Sequence, residues 1–301
     1  MSYCSAILLA AGRSQRLGFD KILTPLAGNP VLHYSFTALM ESPEIGEIHV
    51  MTRADLIDQV KEMLAPYGKG KPVHVRTGGL ERQDSVWAGL QAVSAQATEV
   101  LIHDAARPLL TGELIETLLV RARVEGSAVA AQRATDTLKV ADENGWVDTT
   151  LDRSKVWQVQ TPQVFQKEVI IEAYAKVQED KTPITDDASA VELLNYEVLL
   201  VESKTPNLKI TRLDDWRSLE RLLREKRGRE LRRGIHDISN LMSPLVGYLP
   251  LLKKYGGSDG KFLEYMEKFE EGSRKLQVLA QTVQKLAREF FPDKKDESGS
   301  G

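Results

Sequence analysis

The segment Leu9-Ala10-Ala11-Gly12-Arg13-Ser14-Gln15-Arg16-Leu17-Gly18, with Lys21 just beyond it, holds the residue types most suited to phosphate chemistry. It follows an apolar run, Ala6 to Leu9, that reads as a buried parallel strand. Small residues there let the backbone come close to a ligand, so that N–H groups can point at phosphate oxygens. Arg16 and Lys21 are permanent cations at a spacing that brackets a triphosphate. Nucleotidyl transfer needs such a set, because charge at the reacting phosphorus must be neutralised. The other meaning of a glycine turn at this place is a plain strand-to-helix connection.

Further segments carry chemistry-bearing residues. Thr77-Gly78-Gly79-Leu80-Glu81-Arg82-Gln83-Asp84-Ser85-Val86 sets two glycines against a ligand and Ser85 on the first turn of a helix. As a purely structural feature it would be a glycine-rich strand end with a capping serine. His103-Asp104-Ala105-Ala106-Arg107-Pro108 follows an apolar strand with an acid and an arginine, which could also be a simple ion pair. Thr161-Pro162-Gln163, Ile184-Thr185-Asp186-Asp187-Ala188-Ser189 and Asn207-Leu208-Lys209-Ile210-Thr211 are weaker signals, each compatible with a loop or edge strand.

The elements that must position these residues alternate strand and helix up to about Arg227. Asn29-Pro30 opens a helix to about Met40, and Ile48 to Met51 is a short strand. Leu56 to Leu64 is helical, Val73 to Arg76 extended, Gln83 to Val93 helical and Val100 to Ile102 a buried strand. Thr111 caps the next helix, and Ala128 to Ala131 is another strand. The alternation predicts an α/β fold whose mostly parallel sheet has helices on both faces. Ligands in such sheets sit outside the carboxyl ends of the strands, where Gly12, Gly78-Gly79 and Asp104 all fall.

Two segments break the rhythm. Residues from about 133 to 160 read as a long β-hairpin arm turning at Asp142-Glu143-Asn144-Gly145, with Trp146, Trp157 and valines that need a surface to cover. A second subunit is the natural surface. From about residue 227, Leu231, Ile235, Ile238, Met242, Leu245, Leu249 and Leu252 are spaced as a coiled-coil seam requires. A second seam runs through Phe262, Met266, Phe269, Ser273, Leu276, Ala280, Val283, Ala287 and Phe290 after a turn at Gly256 to Gly260. Two such helices cannot close a core alone, which predicts a dimeric four-helix bundle. Pro244 and Pro250 are expected to kink the first helix. The expected organisation is residues 1–226 for the α/β domain, 227–292 for the helical hairpin and 293–301 for a disordered polar tail.

Composition sets the outer limits. The chain has 301 residues, a net charge of −3 and 28% charged residues, so no basic excess marks a nucleic-acid or membrane-surface binder. A single cysteine, Cys4, excludes an internal disulfide framework and a thiolate-rich metal site. The first apolar run is too short for a leader or a span, and the expected location is cytoplasmic.

His103-Asp104-Ala105-Ala106-Arg107-Pro108, together with Gly78-Gly79-x-x-Arg82-x-x-Ser85-Val86, resembles the 2-C-methyl-D-erythritol 4-phosphate cytidylyltransferases, over residues 4 to about 225. The resemblance implies a nucleotide-diphospho-sugar transferase-like fold and a homodimer locked by the arm. It implies transfer of CMP from CTP to a polyol phosphate, with release of pyrophosphate and with Mg²⁺ held mainly by the triphosphate. Arg16, Lys21, Arg153 and Lys209 would be catalytic. Ala10, Ala11, Gly12, Gly79, Arg82, Ser85 and Ala105 would line the CTP site, the Ser85 hydroxyl helping to read cytosine. Asp104, Arg107, Thr137, Thr161 and Thr185 would hold the polyol phosphate, Thr137 and Arg153 reaching from the arm into the partner's site.

Ribitol 5-phosphate cytidylyltransferases share much of the pattern and supply the alternative substrate. His236-Asp237-Ile238-Ser239-Asn240-Leu241-Met242-Ser243-Pro244 resembles the phosphoacceptor helix of sensor histidine kinases, which makes His236 a candidate phosphoacceptor. A different class of function, a regulatory scaffold working through this hairpin, follows from that resemblance.

Overall fold

The computed structural model describes residues 3–12, 17–67, 70–255 and 260–290. The chain divides into two compact units, Met1–Arg217 and Ser218–Gly301. The first unit begins with β1 (Cys4–Leu9), a small β2 (Pro25–Leu26)/β3 (Asn29–Pro30) hairpin and α1 (Val31–Glu41). There follow β4 (Ile45–Thr52), α2 (Ile57–Leu64), β5 (Val73–Thr77), α3 (Arg82–Leu90), β6 (Glu99–Asp104), α4 (Gly112–Glu125) and β7 (Ser127–Arg133). The arm strands β8 (Lys139–Ala141) and β9 (Val147–Thr150) come next, then β10 (Trp157–Gln166), α5 (Lys167–Asp180), α6 (Asp187–Glu192) and β11 (Leu200–Glu202). Helix α7 (Leu213–Tyr255) starts in the first unit and runs on into the second, where α8 (Gly260–Phe290) follows.

Seven strands form one sheet in the order β11-β7-β10-β6-β1-β4-β5. Its neighbours are parallel except β10, which runs antiparallel to both β6 and β7. The strands sort their side chains by parity, as period-two geometry demands. Ala6 and Leu8 of β1 join Leu32, Phe36, Leu39, Ile115, Leu118 and Leu119 of α1 and α4 on one face. Ile7 joins Val86, Leu90, Ile170, Tyr174 and Val191 of α3, α5 and α6 on the other. Burying both faces explains why β1, β6 and β7 are near-continuous apolar runs.

Helix ends follow their sequence signals closely. The Thr111 hydroxyl accepts the Leu114 N–H at 3.3 Å, and Gly126 ends α4 in the left-handed region at φ 86°. Pro30 occupies the cap of α1 rather than its first turn.

The arm is a two-stranded antiparallel ribbon, Lys139 pairing with Thr150. Its return leg differs from expectation, because Trp157 does not end the arm but begins the ten-residue β10, which enters the middle of the sheet. Thr161-Pro162-Gln163 therefore lies within a central strand. The ladder with β7 breaks its register between Val159 and Gln163, and the Thr161–Pro162 peptide is cis. Proline lacks the N–H that a regular ladder needs, and it sits where the register is broken.

In the second unit Ile235 of α7 and Ala280 of α8 are buried together, with Leu231 and Val283 packed against them. These are seam positions on both helices. Pro244 and Pro250 both lie within the helical span of α7. Of the expected turn at Gly256 to Gly260, residues 256–259 lie outside the described residues while Gly260 begins α8, and the expected tail at 293–301 lies outside them as well.

Candidate active site

The carboxyl ends of β1, β4, β5 and β6 lie level, since Leu9 is in register with both Met51 and Asp104, and Thr52 with Thr77. Three chain turns leave from this edge and are fastened to their neighbours. The Ala10 N–H donates to the Met51 carbonyl at 2.7 Å, Gly78 to Thr52 at 2.7 Å and Ala105 to Leu9 at 3.0 Å. A Cβ on Gly12 would meet no atom within 4 Å, so protein packing does not demand glycine there; the open side is free for a ligand.

Lys21 is held from two directions. Its neighbour Asp20 accepts from Arg53 at 2.7 Å and from the Ile22 N–H at 3.1 Å, which fixes the backbone around it. The Lys21 ammonium donates to the Ile210 carbonyl at 2.8 Å. The Ile210 N–H in turn donates to Ala106 at 2.9 Å, and Asp215 accepts from Thr211 and Arg212 at the start of α7. Residues 209–212 are thus a strap laid across the site and tied at both ends.

The glycine pair makes a rigid loop ahead of α3. Glu81 and Asp84 form a capping box at the helix start. A Cβ on Gly79 would stand 2.1 Å from the Asp84 Cβ, and one on Gly78 would stand 2.7 Å from the Ser85 Oγ. Both positions need glycine for close approach. The buried Ser85 hydroxyl accepts the Gly79 N–H at 3.0 Å and donates to the Glu81 carbonyl at 3.2 Å. It is engaged in holding the loop, a role its sequence position did not reveal.

The electrostatic centre is Asp104, at the end of β6. Arg82 Nε donates to one carboxylate oxygen at 3.1 Å and the Lys209 ammonium to the other at 2.6 Å. Burial alone would raise the Asp104 pKa, but these two cations overcome it and hold the carboxyl far below its usual range. The far end of Arg82 grips Asp187 bidentately at 2.8 and 2.7 Å. Asp187 is wholly buried and also accepts the Tyr174 hydroxyl at 2.6 Å. Arg82 is largely buried, yet its pKa is raised, because Asp187 and Asp104 outweigh the burial. Asp187 is part of a weak candidate segment with no role of its own assigned from sequence, and Tyr174 is in none of the candidate segments. Their signal in the sequence was only a helix cap, Asp186 with Ser189.

Beneath Asp104, the Thr161 hydroxyl accepts the Asp104 N–H at 3.1 Å and contacts His103 Nδ1 at 3.1 Å. Since His103 Nε2 faces the Arg107 carbonyl at 3.2 Å, we assign the ring proton to Nε2 and the Thr161 proton to the bond with Nδ1. Complete burial pushes the His103 pKa down to about 4, so the ring is neutral. Thr161 therefore acts from below the site, holding Asp104 in place.

Two cavities flank this centre. The first, about 240 Å³, is lined by Ala10, Ala11, Gly12, Lys21, Gly79, Leu80, Arg82 and Ser85. The second, about 500 Å³, is lined by Arg107, Gln160, Thr161, Gln163, Thr185 and Ser189. Arg82, Asp104 and Lys209 form a wall common to both. Ala105 is buried just behind the lining, where Ala106 takes its place. Thr137 and Arg153 line neither cavity; both are exposed on the arm, and Arg153 donates to the Thr135 carbonyl at 3.1 Å. Arg16 lies outside the described residues.

A glycine-lined cavity at the strand ends, faced by a lysine and joined through a shared charged wall to a polar second cavity, suits a nucleotidyltransferase. Comparison with known proteins narrows this to a CTP-dependent cytidylyltransferase. Residues 4–225 match the family described as 2-C-methyl-D-erythritol 4-phosphate cytidylyltransferase. The chain belongs to that family. The enzyme of that name from Caldanaerobacter subterraneus subsp. tengcongensis is 40% identical over 224 residues, 73% of this chain and 99% of the relative. That of Dictyoglomus thermophilum is 39% identical over 219 residues, 72% and 95% of the two chains. Among solved structures, 4-diphosphocytidyl-2C-methyl-D-erythritol synthase from Anaerococcus prevotii superposes with a TM-score of 0.68 at 30% identity, covering 74% of this chain and 96% of that one.

Proposed function

We propose that this chain transfers CMP from CTP to 2-C-methyl-D-erythritol 4-phosphate, with the nucleotide in the first cavity and the polyol phosphate in the second. The observation that carries this reading is the shared wall of Arg82, Asp104 and Lys209. It puts an acceptor for hydroxyl groups and two cations at the junction where a phosphate oxygen must meet the α-phosphorus. A phosphate is already a nucleophile at neutral pH, so the residues supply position and charge rather than a proton shuttle. Lys21, with Arg16 as the family resemblance implies, neutralises charge building on the α-phosphorus and the departing pyrophosphate. Lys209 orients the attacking phosphate; Asp104 and Arg107 hold the polyol. Pyrophosphate leaves and a CDP-alcohol forms.

Among the described residues no group of three His, Cys, Asp or Glu side chains is arranged to hold a metal ion. With both Asp104 oxygens engaged by Arg82 and Lys209, a Mg²⁺ ion would be held mainly by the triphosphate oxygens of a nucleotide in the first cavity. It would supply further positive charge to the phosphates.

The arm supports a homodimer. Val140, Trp146, Val147 and Leu151 are exposed on it, beside Arg153 and Thr137, which have no place in the cavities of their own subunit. In a second copy's site the last two would grip the substrate phosphate. The helical unit, with the seam residues Ile238 and Leu276 exposed along with Leu279, reads as a further dimerising bundle. His236 stands exposed on α7, its Nδ1 facing the Asn240 amide at 3.0 Å, and is the candidate phosphoacceptor for a separate kinase. Among the described residues no helix is long and apolar enough to cross a membrane.

Pyrophosphate release measured with CTP and either methylerythritol 4-phosphate or ribitol 5-phosphate tests the reading. Turnover with the first and little with the second is expected. The reverse preference would assign ribitol phosphate as substrate, and no turnover with either would favour the scaffold.

A further inference from the structure

We propose that Gln160 is a specificity-determining residue that reads a hydroxyl of the polyol, together with Arg107. The proposal rests on the reading that the second cavity takes the polyol phosphate.

Gln160 lies on β10 and lines that cavity, with 8% of its surface exposed. Its side-chain oxygen is buried and has no hydrogen-bond partner among the described residues. Burying an unpaired amide is unfavourable, and an apolar side chain would fill the same place without that cost. A buried polar group at a cavity wall is explained by a ligand that completes it. The Arg107 Nε–H, on the same cavity, is likewise buried and has no hydrogen-bond partner among the described residues. A hydroxyl can donate to the first group and accept from the second, or pair with the other end of the amide. A polyol offers several.

The backbone around Gln160 is clamped on both sides. Gln163 donates its amide to the Gln160 carbonyl at 3.1 Å and to Asp186 at 2.8 Å. The Asn207 amide donates to the Thr161 carbonyl at 2.7 Å, while the Asn207 carbonyl accepts from Arg107 at 2.7 Å. The reading pair is therefore built into a network that also holds Thr161, the support of Asp104. Sites made to hydrogen-bond a hydroxyl reject analogues lacking it far more strongly than apolar pockets reject an added one.

The experiment compares the native enzyme with Gln160→Leu, or with the near-isosteric Gln160→Met should the first not fold, using methylerythritol 4-phosphate and its single-deoxy analogues. The KM for the polyol phosphate should rise by about tenfold or more, with kcat and the KM for CTP within about twofold. One deoxy analogue, poor for the native enzyme, should be used equally well by native and variant. An unchanged KM, or a constant native-to-variant ratio across every analogue, overturns the proposal. Asp104→Asn serves as the control for the site itself. If it is impaired while Gln160→Leu is normal, only the role of Gln160 falls; if it too is normal, the assignment of the second cavity falls.

Discussion

The Lys21 ammonium lies 2.8 Å from the carbonyl of Ile210, the residue next to Lys209. One hydrogen bond thus joins the cation of the first cavity to the strap that carries the cation of the wall. Their separation is set by backbone, so the two positive charges stand at a fixed spacing, as the proposed transfer requires. Preorganised charge of this kind needs no rearrangement as the reaction proceeds.

Lys21→Ala should lower kcat by about 10²-fold or more while leaving the folded state intact. Pyrophosphate release and thermal unfolding, measured on the same preparation, check both halves. Turnover near the native value would remove Lys21 from the mechanism.

Asp187→Ala leaves the inner end of Arg82 buried without its counter-charge. Breaking a buried pair from one side costs about 3–5 kcal/mol. Tyr174→Phe removes only the hydroxyl that Asp187 accepts and should cost about 1 kcal/mol. Urea unfolding gives both values, and a milder effect for Asp187→Ala than for Tyr174→Phe contradicts the order of importance argued here.

Gly79→Ala should raise the KM for CTP and destabilise the protein by about 1–3 kcal/mol, because the new methyl would stand 2.1 Å from the Asp84 Cβ. Gly12→Ala has room within the protein, so its effect should fall on nucleotide binding alone. Calorimetric CTP titration with unfolding curves separates the two cases.

His103 gives stability a pH dependence whose sign is fixed. In the unfolded chain the imidazole takes up a proton near pH 6.5, whereas in the fold it stays neutral until about pH 4. The unfolded state therefore binds more protons between these values. The stability that His103 contributes is present above pH 6.5 and is lost as pH falls toward 4. Relative to His103→Gln, the native protein should lose about 2 kcal/mol more between pH 7 and pH 5. Urea midpoints at the two pH values provide the measurement, and parallel losses would contradict a buried neutral ring.

Truncation after residue 225, where the family match ends, should leave a soluble enzyme with turnover within about twofold of the full chain. A dead or aggregated product would make the helical unit part of the catalytic body.

The legible parts of this protein are those whose pattern is local. The apolar runs of β1, β6 and β7 announced a buried parallel sheet, and Gly12, Gly78-Gly79 and Asp104 announced the strand-end site. Trp157 to Gln166 was hidden because a proline within ten residues argues against a central strand, and only the broken register beside β7 admits it. Asp187 and Tyr174 were hidden for another reason. A carboxylate beside other carboxylates on a capped turn has no visible meaning until folding carries it to the inner face of Arg82. Gln160 is similar, since its amide becomes informative only once its oxygen is seen to be buried with no partner among the described residues.

The ribbon strand β9 leads through a short helical turn at Arg153–Lys155 into β10, which runs past Gln160 to Thr161, so the outermost ribbon and the hydroxyl that accepts the Asp104 N–H belong to one short stretch of chain. The floor beneath Asp104 is thereby joined to the periphery by covalent continuity, across the point where the ladder with β7 loses its register.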